Sequence, residues 1–152
     1  MRLEIDLVPS SCFYSNLRSN LKISQWDKLR REVYKNANRV CEICGGKGRR
    51  HPVECHEIWS YDEINYIQKY TGAIALCPDC HLVKHYGLAQ IRGKGEFAYK
   101  HLMKVNDWDE RQTTEHIKES FRIWENRSGH SWKLDISILK SSGIEVPVEL
   151  DR

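Results

Sequence analysis

Two C-x-x-C pairs constrain this chain more than any other feature: Cys41-Glu42-Ile43-Cys44 and Cys77-Pro78-Asp79-Cys80. A C-x-x-C turn points two thiolates into one site, and two such turns complete the tetrahedral four-sulfur shell of a structural zinc ion. Gly45-Gly46, directly after the first pair, suits a knuckle in which backbone bends tightly around metal. A redox C-x-x-C is the competing reading, but it needs only one pair. Cys12 and Cys55 are left over. Met1-Arg2-Leu3-Glu4-Ile5-Asp6 carries charges where an export signal needs an apolar segment. A reduced, cytoplasmic setting is therefore expected, in which thiols serve metals rather than disulfides.

The remaining composition sets bounds. The 152 residues, 40% of them hydrophobic, suit one domain spanning 1–152. No run approaches about 18 apolar residues, so no membrane span or membrane partner is expected. Lys and Arg total 24 against 21 Asp and Glu, a mild basic bias that permits a nucleic-acid partner without demanding one.

Periodicity outlines an α+β chain. Residues 3–8 alternate as a short edge strand. Ser24-x-x-Asp27 resembles a capping box opening a helix to about Asn36, with Trp26, Leu29 and Val33 on one face. Pro52–Trp59 and Ala73–Leu76 read as strands. Pro78 and Gly87 bracket a two-turn helix, and residues 88–95 read as a glycine-containing loop. Helices follow at 96–104 and at 110–126, where Ile117, Phe121 and Trp124 form a stripe. Residues 132–136 suggest a terminal strand, with a loosely ordered tail after Ser141. The core spans about 38–90, flanked by residues 3–37 and 96–127.

His81 follows the second pair directly, and His85 comes one helical turn later, so both imidazoles can serve one ion. His56 lies on the preceding strand, and strand alternation puts Glu54 beside it and Cys55 on the opposite face. Taken singly, His56 is an ordinary histidine, His81 a replacement zinc ligand and His85 a helix-end cation. Taken together they suit metal-assisted hydrolysis, with one imidazole as proton acceptor. His51, His101, His116 and His130 read as ordinary surface histidines.

The layout Cys41-x-x-Cys44, His56, then Leu76-Cys77-x-x-Cys80-His81-x-x-Lys84-His85 resembles the HNH endonuclease family. It is most similar to a bacterial and phage branch with Glu-Cys-His-Glu-x-Trp, Ala-Leu-Cys-Pro-x-Cys-His and Val-Lys-His-x-Gly-Leu-Ala. Asp6-Leu7-Val8-Pro9, Asn16-Leu17-Arg18, the Trp26 helix, His101-Leu102, Val105-Asn106-x-Trp108 and Trp132-x-Leu134-Asp135 extend the resemblance over roughly Leu3 to Leu139. It implies a ββα-metal module on a zinc-knuckle base. His56, with Glu54 beside it, would be catalytic, His56 as general base. His81 and His85 would hold a catalytic divalent ion (Mg²⁺, Mn²⁺, Ni²⁺ or Zn²⁺), and Cys41, Cys44, Cys77 and Cys80 a structural Zn²⁺. The 32 residues between Cys44 and Cys77 leave room for the catalytic hairpin.

Two positions depart from the family pattern. Cys55 precedes the base where many members have Asp, Glu or His, and a thiolate ligand there would favour zinc over magnesium. Gly72 stands where the middle Asn is usual, five residues before the third cysteine, with Gln68 and Asn65 as candidate substitutes. Arg49 and Arg50 on the first knuckle, with Lys84, Arg92 and Lys94 beyond the second, are candidate phosphate contacts. The expected function is metal-dependent hydrolysis of phosphodiester bonds in DNA with low sequence specificity; the resemblance implies products with 5′-phosphate and 3′-hydroxyl ends. RNA stays open as a substrate. The alternative is a catalytically degenerate zinc module that binds nucleic acid or a protein.

Overall fold

The computed structural model describes residues 1–15 and 17–147; Asn16 lies outside the described residues. The architecture is α+β. Its centre is an antiparallel hairpin of β1 (Glu54–Asp62) and β2 (Ile67–Leu76), with Glu54 opposite Leu76 and Asp62 opposite Ile67. Asp62 closes the connecting turn by accepting the backbone N–H of Ile64 and Asn65 at 2.9 and 3.0 Å. The register shifts at Ile58/Trp59, opposite Gly72, whose φ of +155° few side chains adopt. Both strands run longer than the sequence suggests. Ile67–Thr71 escapes notice because β2 is interrupted by this bulge and carries polar residues.

β2 leads directly into α3 (Pro78–Lys84), with Cys77 as N-cap accepting the Cys80 N–H at 3.4 Å. The helix breaks at His85, and α4 (Tyr86–Ile91) follows at once. The expected stop at Gly87 and the loop over 88–95 are therefore corrected. The positive-φ glycine is Gly93 (φ +73°), and the turn is confined to Arg92–Lys94. Then come α5 (Gly95–Asn106) and α6 (Glu110–Ser128), the latter opened by an Asp109/Gln112 capping box. The chain returns as β3 (Lys133–Asp135), parallel to β2.

On the amino-terminal side, α1 (Leu17–Asn20) and α2 (Ile23–Asn36) precede the knuckle. The Ser24/Asp27 capping box does not form. Lys22 is the N-cap without a side-chain bond, and Asp27 pairs with Arg30 at 2.7 Å. Residues 3–8 alternate as expected, with Leu3 and Ile5 buried, yet they form no strand. Their backbone bonds go instead to the side chains of Asn106 and His116 and to the Lys84 carbonyl. As far as residue 147 the tail is more ordered than expected: α7 (Ser137–Ser141) is followed by a buried Ile144, and Glu145 N bonds Gln25 at 2.9 Å, while residues 148–152 lie outside the described residues.

Two apolar clusters flank the hairpin. Leu3, Ile5, Ile74, Leu76, Val83, Tyr86, Ala98 and Leu102 join the arm, β2 and α3–α5 beneath the histidines. Leu17, Leu21, Tyr70, Ile136, Leu139 and Ile144 cover the opposite side. Each fully buried leucine contributes about 1.5–3 kcal/mol, so the first cluster fixes α3 against the hairpin with little freedom to shift.

Candidate metal centres

The four cysteines converge, their sulfur atoms all within 4.8 Å of one another. A tetrahedral zinc ion with Zn–S bonds of about 2.3 Å requires S···S separations of about 3.8 Å, and Cys44 Sγ lies 3.6 Å from Cys77 Sγ. The donor set and spacing fit structural zinc. Gly45 (φ +75°) turns the first knuckle, and Gly46 N donates to Cys44 Sγ at 3.3 Å. Glu42 fastens this knuckle to β2, its N–H bonding Ala75 O at 2.9 Å while its carboxylate accepts Ala75 N–H at 2.7 Å. Gly48 allows the close approach behind it, since a Cβ there would meet His51 O at 2.2 Å and Pro78 Cδ at 2.7 Å. Hydrogen bonding from Cys80 depresses the Cys41 thiol to about 4, the direction that thiolate ligation requires.

The second cluster comprises His56, His81 and His85, with one ring nitrogen from each inside 4.8 Å. His56 comes from β1, His81 from α3 and His85 from the α3/α4 break. His81 Nε2 and His85 Nε2 are 3.1 Å apart. Adjacent nitrogens on one ion lie about 2.9–3.4 Å apart for bonds of about 2.0–2.1 Å, so this pair can hold a cation. Glu54 Oε1 is 3.1 Å from His81 Nδ1 and Oε2 is 3.0 Å from His51 Nε2. The carboxylate thereby accepts a hydrogen bond from His81 Nδ1–H, which keeps the ring proton on Nδ1 and leaves Nε2 with a lone pair. The hydrogen bond from His81 pulls Glu54 down to about 2. Burial pushes His85 down to about 3 and lowers His56, so both imidazoles are neutral at pH 7.

His56 is 5% exposed, and its Nε2 lies 3.2 Å from Asp6 Oδ2. The sequence assigns Asp6 no place in the site: it stands 50 residues away, on a segment that reads as a strand and enters the resemblance only through Asp6-Leu7-Val8-Pro9. Burial alone would raise the Asp6 carboxyl, but the His56 hydrogen bond and the Lys84 charge hold it below its ordinary value.

The other expected residues divide. Cys55 is buried away from the histidine cluster, its thiol pushed up to about 12 by desolvation, and it is no ligand there. Gly72 pairs with Ile58 while His56 pairs with Ile74, so position 72 does not adjoin the proposed base across the ladder. Gln68 faces Tyr61, about 17 Å along β1 from His56 at strand spacing, and Asn65 is held in the turn by Asp62 at 3.0 Å. Neither pairs with His56 across the ladder.

Lys84, expected among the phosphate contacts, is 8% exposed and pairs with Asp6 at 3.1 Å. Arg92 and Lys94 are exposed and line the same open cleft as the three histidines. Arg49 and Arg50 are exposed on the knuckle, outside that cleft. Two supposed surface histidines have structural partners: His101 Nε2 is 3.2 Å from Cys80 Sγ, and His116 Nε2 accepts the Ile5 N–H at 3.0 Å. His51 meets Glu54 as above, and His130 stacks on Tyr66. Tertiary packing brings His101 to Cys80 and His116 to Ile5, so no local pattern announces those two pairs.

No helix among the described residues is long and apolar enough to cross a membrane. Comparison with family models, with curated proteins and with solved structures finds no match.

Proposed function

We propose that the chain is an HNH-type, metal-dependent endonuclease hydrolysing phosphodiester bonds in DNA with low sequence specificity. One observation carries this reading. A buried His56, with one nitrogen engaged by Asp6, stands in a cluster where the nearest nitrogens of the other two imidazoles are 3.1 Å apart. A proton acceptor beside a cation holder is the minimum equipment for hydrolysing a phosphodiester.

In this reading His56 removes a proton from water as the oxygen attacks phosphorus, and the bond to the 3′ oxygen breaks. The products carry 5′-phosphate and 3′-hydroxyl ends. His81 and His85 hold the divalent ion, and Glu54 fixes the orientation of His81. When bound, the ion supplies positive charge against the non-bridging and leaving oxygens. Arg92 and Lys94 at the cleft, with Arg49 and Arg50 further out, neutralise flanking phosphates. No base-reading helix-turn-helix is evident in the sequence, which supports weak sequence preference.

The test is cleavage of supercoiled plasmid by zinc-replete protein, with Mg²⁺, Mn²⁺ and Ni²⁺ added separately. Ion-dependent nicking or cutting is expected. The lack of an Asn equivalent at Gly72 favours one other reading, a degenerate zinc module. DNA binding without cleavage under every ion would favour that module.

A further inference from the structure

The amino-terminal arm supplies the histidine cluster with a group from outside the hairpin-and-helix unit. Asp6 Oδ2 lies 3.2 Å from His56 Nε2 and 3.1 Å from Lys84 Nζ. We propose that Asp6 is a positioning residue that fixes His56 as the tautomer protonated on Nε2, with the lone pair on Nδ1.

An ionised carboxylate has no proton to give, so at this distance the hydrogen must sit on Nε2. A neutral imidazole carries one N–H, so Nδ1 is left as its single basic nitrogen. The ring has little room to turn over, because the His81 and His85 rings both stand edge-on to it, with centroids 5.2 Å away. Lys84 donates to the same carboxylate oxygen and offsets its charge, which the 8% exposure of Lys84 would otherwise make costly to leave unpaired.

The arm is pinned so that Asp6 cannot drift. Leu3 N and O both bond the Asn106 amide at 2.8 Å, and Ile5 N donates to His116 at 3.0 Å. Asp6 N donates to Lys84 O at 3.1 Å, and Trp124 Nε1 donates to Val8 O at 2.9 Å. These partners come from α3, α5 and α6. The carboxy-terminal helices thus act on the site through the arm, without contributing a ligand to the histidine cluster.

The catalytic consequence rests on the nuclease reading, but the tautomer does not. The experiment is a two-bond ¹H–¹⁵N correlation of His56 at neutral pH, in protein carrying zinc at the cysteines and no second ion. Wild type is expected to show Nε2 protonated and Nδ1 bare; a proton on Nδ1 overturns the proposal. Asp6→Ala, checked for zinc content and helicity, is expected to show both tautomers. An unchanged pattern in that variant also overturns it, and the wild-type spectrum decides even if the variant does not fold. Where plasmid cleavage is measurable, Asp6→Ala should lower kcat about 10–100-fold with KM nearly unchanged. A wild type that never cuts sinks the nuclease reading while leaving the tautomer result standing.

Discussion

Glu54 accepts a hydrogen bond from His81 Nδ1–H at 3.1 Å from a strand position two residues before His56. One strand face thus carries both the proposed proton acceptor and the group that aims a proposed ligand, and α3 docks between them. Because β1 alternates, neither side chain can leave this face without a register slip that would also expel Cys55 from its buried position.

Replacing Glu54 with Gln should therefore weaken ion binding at the histidines about 10–100-fold, the usual cost of removing a ligand's hydrogen-bond partner. Zinc at the cysteines should be untouched. Calorimetric titration with Ni²⁺ reads the first effect and total zinc analysis the second. Equal Ni²⁺ affinity in both proteins contradicts the aiming role.

Ion preference should follow donor chemistry. A pair of imidazoles suits Ni²⁺ and Zn²⁺, whereas Mg²⁺ prefers carboxylate and water oxygens. Competition against a chromophoric Co²⁺ complex should rank Ni²⁺ and Zn²⁺ well above Mg²⁺. Tighter binding of Mg²⁺ would show that the ion lies elsewhere.

Acid should destabilise the protein when the histidine cluster carries no ion. His56 and His85 titrate below the ordinary 6.5 when folded, so the unfolded chain holds more protons as pH falls beneath that value. Stability is then full above 6.5 and declines toward acid, with a limiting slope of about 1.4 kcal/mol per pH unit per proton. Glu54, folded at about 2 against 4.5 unfolded, adds loss in the same direction below 4.5. Urea midpoints between about pH 7 and about pH 5 should fall, and His85→Gln should flatten the decline. Parallel curves for the two proteins would rule out His85 as a contributor.

Gly48→Ala should damage the zinc knuckle, because the added Cβ meets backbone at 2.2 Å from His51 O and proline carbon at 2.7 Å. Neither neighbour is the end of a flexible side chain, so the loop must shift, at a cost of about 1–3 kcal/mol. Thermal unfolding at fixed zinc should record a lower midpoint, and Gly46→Ala, with its one close contact at 3.3 Å to Cys44 Sγ, a smaller drop. A larger drop for Gly46 would contradict this ranking.

Local chemistry made the cysteine quartet and the pairing of His81 with His85 legible, because C-x-x-C and a one-turn histidine spacing bring ligands together whatever surrounds them. The alternation of residues 3–8 was equally legible, but its consequence was not. A strand needs a partner strand, and here the arm's hydrogen bonds go to Asn106 and His116, over a hundred residues away. Lys84 misled for the same reason: its partner Asp6 lies on that arm, so a lysine next to the site reads as a surface charge until the arm is in place. Gly87 looked like a helix stop because glycine commonly ends helices, yet the positive φ falls at Gly93 and the chain breaks at His85 instead. The His101–Cys80 contact depends on α5 packing against α3, which no spacing in the sequence encodes.

The most direct measurement compares plasmid cleavage by wild type and His56→Ala, each carrying full zinc at the cysteines and supplied with the same divalent ion. Ion-dependent cutting in wild type is expected to vanish in the variant, with zinc content, fold and DNA binding retained. Cutting that survives the substitution would contradict His56 as the proton acceptor, and no cutting in wild type under any ion would contradict the nuclease itself.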